Sequence, residues 1–163
     1  MTRGSDAFES LEFTPIGTVI GGRVDAIDDD WAAVQAEIVL DADRFSPAVL
    51  AGLDEFSHIE VVFVFHLVHP DAAHLGARRP RGRVDWPEVG IFAQRAKARP
   101  NRIGVTVCEL LAVDGVRVTV RGLDAIDGTP VLDVKPYMTG FAPRREVREP
   151  PWASQLMSGY WEA

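Results

Sequence analysis

The chain has 163 residues, 47% of them hydrophobic and 25% charged, which suits one ordinary domain with a single core and leaves little room for a second. No run approaches the roughly 18 apolar residues of a membrane span, the N-terminal stretch lacks the apolar segment of a secretion signal, and a cytoplasmic location is expected. The net charge of −7 weighs against nucleic acid in bulk, yet residues 1–60 carry 3 basic and 13 acidic side chains while residues 78–102 carry 8 basic and 2 acidic ones, so a positive face on a negative body is compatible with the composition.

In chain order, short Val- and Ile-rich runs bounded by Gly, Pro or Asp predict seven strands, at residues 13–20, 34–40, 59–66, 89–94, 103–113, 116–123 and 131–134. Seven strands of this spacing suggest a mainly β, closed or nearly closed barrel with short helices, in which no edge is left free. Gly21-Gly22 lacks the third glycine and the βαβ setting of a dinucleotide loop and reads as a turn, which disfavours a Rossmann-type enzyme. Ser46-Pro47 before Ala-Val-Leu-Ala predicts a helix start with Ser46 as cap. The run from His58 to His66 is apolar at nearly every position, so its strand should be covered on both faces. Ser57 and His58 are neighbours on a strand and are expected to point apart, which excludes them as a nucleophile pair.

Residues 69–86, rich in Pro, Gly and Arg, predict a long loop of the kind that usually carries function. His66, His69 and His74 lack the further ligands a tetrahedral metal site needs, so no metal is expected. Between the fourth and fifth strands, Arg95, Lys97, Arg99 and Arg102 cluster around Pro100-Asn101, an arrangement suited to a carboxylate or phosphate. Cys108 lies in an alternating apolar run and reads as a small buried side chain with no catalytic part. Asp114-Gly115 predicts a two-residue hairpin turn. Asp127-Gly128 reads as a turn, whereas Asp124 suits either a turn or a contact to an amine or ribose hydroxyl. An extended tail over 143–151 leads to a short helix at 152–158.

Four segments in order carry a resemblance: Phe13-Thr-Pro-Ile-Gly-Thr-Val19, Gly52-Leu-Asp-Glu-Phe-Ser-His-Ile59 leading to Phe65-His66, Gly90-Ile-Phe-Ala-Gln-Arg95 with Arg99-Pro-Asn-Arg-Ile-Gly104, and Asp127-Gly-Thr-Pro-Val-Leu-Asp-Val-Lys-Pro-Tyr137. Together they resemble the successive motifs of the TrmO family, also known as TsaA-like or YaeB-like, over residues 13–140, with residues 1–163 forming one domain and 141–163 its tail. The resemblance implies a dimeric β-barrel that binds S-adenosyl-L-methionine near the subunit interface. It further implies transfer of the methyl group to N6 of threonylcarbamoyl-adenosine beside the tRNA anticodon. By motif position it puts cofactor contacts on Phe65, His66, Arg95, Val105, Arg121, Gly122, Leu123 and Asp124. Substrate contacts would fall on Arg99, Asn101, Arg102, Asp127, Lys135 and Tyr137. It names no catalytic residue, and methyl transfer from a sulfonium depends chiefly on alignment.

Departures from the family's pattern bear on the acceptor. The family usually has Pro where this chain has Arg102 and Ser or Thr where it has Ala96, and residues 21–30 are acidic where relatives carry a basic loop toward the cofactor. Longer members append a domain thought to help grip tRNA, for which these residues leave no room. A different RNA or small-molecule acceptor, or a non-catalytic dimeric S-adenosylmethionine-binding module, is therefore the alternative. A tRNA acceptor calls for Arg78, Arg79, Arg81, Arg83, Lys97, Arg99 and Arg102 on one face with the cofactor pocket.

Overall fold

The computed structural model describes residues 10–162. Among the described residues there are eight strands: β1 (Gly17–Ile20), β2 (Gln35–Leu40), β3 (His58–Val64), β4 (Ala77–Arg78), β5 (Val89–Gly90), β6 (Ile103–Asp114), β7 (Arg117–Arg121) and β8 (Pro130–Pro136). Six of them close a barrel in the order β1-β2-β7-β6-β3-β8, every pairing antiparallel. The remaining two, β4 and β5, make a separate two-stranded ribbon.

The barrel therefore has six strands where the sequence suggested seven. The missing one is the run at 89–94, of which only Val89–Gly90 pairs, and with β4 rather than with the barrel; Ile91–Ala93 then turns into a 3-10 helix. β4 itself lies inside the stretch read as loop. The first strand starts at Gly17, four residues later than its apolar pattern suggests. The turn between β6 and β7 is made by Gly115 and Val116, one residue beyond the expected Asp114-Gly115, because Asp114 still pairs with Arg117; Gly115 has φ +58°. Pro47–Leu50 forms a 3-10 helix whose cap, Ser46, makes no side-chain hydrogen bond. The final helix, α1 (Pro151–Met157), falls where expected.

Strand periodicity fills the barrel interior. Val19, Ile38, Ile59, Val61, Phe63, Val118, Val120 and Val131 point inward and are almost completely buried, each contributing roughly 1.5–3 kcal/mol of transfer free energy. On β3 the alternate residues Glu60, Val62 and Val64 face outward and are half-buried, so only the inner face of this apolar strand is sealed within the subunit. Cys108 is buried, and desolvation pushes its thiol up to about 12, which leaves it unreactive at neutral pH.

Ser57 and His58 depart from expectation: Ser57 Oγ and His58 Nδ1 lie 2.9 Å apart, because Ser57 precedes the strand and is free of its alternation. Both are exposed and lie outside the cavity described below.

Gly17 sits against its neighbouring strand so closely that a Cβ would meet Val39 O at 2.4 Å and Leu40 Cα at 2.9 Å. These are backbone atoms of a paired strand and cannot swing aside. Gly17→Ala is expected to cost about 1–3 kcal/mol, read as a lower urea midpoint; an unchanged midpoint would show that β1 and β2 separate freely.

Candidate functional site

A cavity of about 980 Å³ opens at one end of the barrel. Its floor follows from the antiparallel pairing of β3 with β6, which brings the end of β3 beside the start of β6, Val64 opposite Ile103 and Phe63 opposite Gly104. Phe63, Phe65, His66, Gly104, Val105, Thr106, Asp124, Ala125 and Thr129 line it there. Gly104 makes the floor possible: a Cβ would meet two ring atoms of Phe63 at 2.5 Å and Phe65 Cζ at 3.0 Å. In the space so left, the Phe63 and Phe65 rings pack edge to face with centroids 5.3 Å apart.

The walls come from three segments outside the barrel. The first is the basic stretch after β5, which supplies Gln94, Arg95, Lys97, Arg99 and Asn101, with Arg78 and Arg81 from around β4. The second is the acidic segment after β1, which supplies Ala26, Ile27, Asp28 and Trp31. The third is the C-terminal segment, which supplies Trp152, Leu156, Met157, Tyr160 and Trp161.

The second and third walls are joined. Backbone N–H groups of Asp30 and Trp31 donate to the carbonyls of Gly159 and Tyr160 at 3.2 and 3.0 Å. Arg23 staples the acidic segment by donating to the carbonyls of Asp29 and Asp30, and its guanidinium lies 4.4 Å over the Trp31 ring. This segment also grips the first wall: Arg81 makes a bidentate pair with Asp29 at 2.7 and 2.9 Å, and Lys97 lies 3.6 Å from Asp28.

At the base, Asp124 accepts hydrogen bonds from two hydroxyls, Thr106 on one oxygen and Tyr160 on the other. Burial, reinforced by the carboxylate of Asp124, pushes the Tyr160 hydroxyl well above the usual tyrosine range, so it remains a donor. A carboxylate accepts about four hydrogen bonds, so Asp124 keeps capacity for a cationic ligand.

Of the expected cofactor residues, Phe65, His66, Arg95, Val105 and Asp124 line this cavity. Arg121, Gly122 and Leu123 lie outside its lining: Arg121 pairs with Glu109 at 3.1 Å, the Gly122 N–H donates to Val34, and the Leu123 side chain is sealed in the core. Of the expected substrate residues, Arg99 and Asn101 line it. Arg102 has φ +53° and donates to the Val68 carbonyl at 2.8 Å. Proline, with φ fixed near −65°, cannot take that conformation. Asp127 accepts from the Gly21 N–H at 2.7 Å, Lys135 pairs with Asp133, and the Tyr137 N–H donates to His58. All three lie apart from the cavity lining.

Arg78, Arg81, Lys97 and Arg99 share the cavity, whereas Arg79 donates to the Trp86 carbonyl and Arg83 pairs with Asp85 at 2.6 Å. The sequence reading missed Trp31, Thr106, Tyr160 and Trp161 at the site. Among the described residues no group of three or more His, Cys, Asp or Glu is placed to hold a metal ion, and no helix is long and apolar enough to cross a membrane.

Comparison with known proteins places the chain in context. Residues 28–142 match the family described as tRNA-methyltransferase O N-terminal domain. A mouse protein named tRNA (adenine(37)-N6)-methyltransferase is 44% identical over 94 residues, 56% of this chain and 21% of the mouse protein. A probable S-adenosyl-L-methionine-binding protein of Methanothermobacter thermautotrophicus is 45% identical over 86 residues, 53% of this chain and 58% of the relative. The solved structure of TrmO from Pseudomonas aeruginosa superposes with a TM-score of 0.71 and 26% identity, covering 88% of this chain and 62% of that one. The matches thus span about a fifth to three fifths of these relatives' own lengths.

Tyr160→Phe deletes one hydroxyl from Asp124 and is expected to lower stability by about 1.5–3 kcal/mol, the worth of a hydrogen bond to a charged group. A raised folded-state value means that the native state holds the tyrosine proton more tightly. Its contribution is full below the unfolded value of about 10 and is lost as pH rises above it. Thermal unfolding from pH 7 upward should show the wild type falling more steeply than Tyr160→Phe above about pH 10; parallel curves would remove the Tyr160–Asp124 bond as a stabilising contact.

Proposed function

Because the chain belongs to the tRNA-methyltransferase O N-terminal domain family, we propose that it binds S-adenosyl-L-methionine in the barrel-mouth cavity and transfers the methyl group to N6 of adenine 37 of a tRNA, the activity named for its mouse relative. The acceptor in this reading is threonylcarbamoyl-adenosine. The observation that carries it is the convergence of Phe65, His66, Arg95, Val105 and Asp124 on one cavity, from four separate places in the chain.

The chemistry of these groups fits the cofactor. The fork of Arg95 matches the methionine carboxylate, and one of its nitrogens is already anchored on the Val105 carbonyl, which fixes its direction. Asp124, held by Thr106 and Tyr160, offers remaining lone pairs to the ammonium group. Phe65 provides an apolar face for the sulfonium and adenine. Of residues 121–123, the backbone is the part suited to reading adenine edges, since Leu123's side chain is inside the core. Arg99 and Asn101, on the same wall as Arg95, are placed for the acceptor, and Arg102, Asp127, Lys135 and Tyr137 would reach it only if the acceptor extends beyond the cavity. When bound, the cofactor supplies an electrophilic methyl group; the protein's part is to hold the acceptor nitrogen in line and to keep water away.

A second reading keeps the cofactor and changes the acceptor. Asp28 and Asp29 neutralise Lys97 and Arg81 at the cavity rim, which weakens the site's attraction for a polyanion and favours a smaller substrate or a purely S-adenosylmethionine-binding role. A homodimer, with the half-buried outer face of β3 and the exposed Trp161 as candidate contacts, and a cytoplasmic location complete the proposal.

Calorimetry provides the first test. Wild-type protein should bind S-adenosylmethionine, and Arg95→Ala should weaken binding by about 1.5–3 kcal/mol; equal affinities would remove Arg95 from the carboxylate. Methyl transfer to threonylcarbamoylated tRNA then separates enzyme from binding module, since retained binding with no transfer favours the latter. Sedimentation at micromolar concentration should give a dimer, and a monomer would count against the interface.

A further inference from the structure

Five cationic side chains line the cavity, and four of them have partners within the chain. Arg81 is clamped by Asp29, Lys97 lies beside Asp28, Arg95 donates to the Val105 carbonyl, and Arg99 Nη1 donates to the Gln94 carbonyl at 3.0 Å. Arg78 differs. Its Nε is shut off from solvent, and among the described residues it finds no acceptor.

The arginine is not loosely held. Its backbone pairs with Val89 across the β4–β5 ribbon, and its carbonyl accepts from Gln94 Nε2 at 3.0 Å. The same amide nitrogen donates to the Val89 carbonyl at 2.9 Å, and Gln94 is nearly fully buried. Gln94 therefore ties the ribbon to the segment that carries Arg95 and, through its own carbonyl, Arg99. The side-chain amide of Gln94 thus holds the strand of Arg78, its main-chain carbonyl holds Arg99, and Arg95 follows it directly in the chain. A charged donor held out of water without an acceptor forfeits its hydration and gains nothing in return. The side chain lines the cavity, so it is the rest of the guanidinium, beyond the buried Nε, that a ligand can meet, and such a fork matches the paired oxygens of a carboxylate or phosphate.

We propose that Arg78 is an oxyanion subsite for the methyl acceptor, separate from the cofactor's own carboxylate on Arg95. The inference rests on the cofactor reading given above and deepens it by naming what the acceptor must carry. Two sources present suitable oxygens: a carboxylate on the modified base and a phosphate of the nucleotide. Arg78 contributes no step to the chemistry; it selects acceptors by charge and sets their orientation.

The experiment uses the full chain as wild type, Arg78→Gln and Arg78→Lys. Calorimetry with S-adenosylmethionine comes first, and Arg78→Gln should keep the wild-type affinity within about twofold. Methyl transfer is then compared for threonylcarbamoyl-adenosine, its carboxyl methyl ester and its 5′-monophosphate. If the base carboxylate is the source, wild-type kcat/KM falls by about ten- to a hundredfold on the ester, Arg78→Gln treats acid and ester alike, and Arg78→Lys recovers part of the difference. If phosphate is the source, the preference for the monophosphate disappears in Arg78→Gln instead. The proposal is overturned if wild type prefers neither anion, if Arg78→Gln keeps the wild-type preference, or if that variant loses cofactor affinity, in which case Arg78 serves the methionine carboxylate. The wild-type acid and ester comparison needs no variant to fold. Should wild type fail to bind S-adenosylmethionine at all, the cofactor reading falls by itself, and calorimetry of acid against ester still decides the subsite.

Discussion

Closure of six short antiparallel strands leaves the barrel no free edge, and most of the molecule's chemistry follows from that constraint. Inward-facing positions are taken by Val, Ile and Phe, and the outward backbone is paired around the ring. Functional groups can then be gathered only where strands end. The β3–β6 pairing sets Phe63, Gly104 and Val105 side by side at one mouth, and the chain after β7 delivers Asp124 there. The absent side chain of Gly104 decides the depth of that mouth, since the rings of Phe63 and Phe65 fill its place.

Above the mouth, the molecule balances charge against charge. The acidic segment after β1 is far in sequence from the basic residues around β4 and after β5 and opposite to them in sign, and it meets them through Asp29–Arg81 and Asp28–Lys97. Pairs of this kind at a partly exposed rim contribute little stability, typically 0–1 kcal/mol each. Their larger effect is on the field at the entrance, which they reduce, while Arg78, whose Nε finds no acceptor among the described residues, has no carboxylate of that kind beside it there.

Periodicity and turn chemistry made most of the barrel legible. Runs such as 34–40 and 103–113 alternate cleanly because one face meets the core, and strands formed there. Residues 89–94 misled because Val-Gly-Ile-Phe-Ala is equally rich in strand formers, yet Gly90 begins a 3-10 turn and no barrel partner is free to extend the pairing. The basic cluster was legible as a group, and Arg95, Lys97 and Arg99 of it line the cavity, whereas the two-residue ribbon β4–β5 that carries Arg78 was too short to leave a pattern. Tyr160 and Trp31 could not have been found in the sequence, because their approach to the site depends on two backbone hydrogen bonds between segments about 130 residues apart, which no local pattern records.

That long-range contact gives the C-terminal segment a part in the site itself. The segment brings the Tyr160 hydroxyl to Asp124 while its backbone carbonyls hold the acidic segment, so one element sets both the base of the cavity and its rim. The acidic segment in turn fixes Arg81 and Lys97. A ligand that draws on Asp124 therefore meets a carboxylate whose direction is set in advance by two hydroxyls, and preorganisation of this sort lowers the ordering cost of binding. The cost is carried by the fold: the carboxylate, two hydroxyls and two segments must be assembled before any ligand arrives. Burial and the Asp124 carboxylate raise the tyrosine further above its already high ordinary value, and the arrangement holds as a donor–acceptor pair.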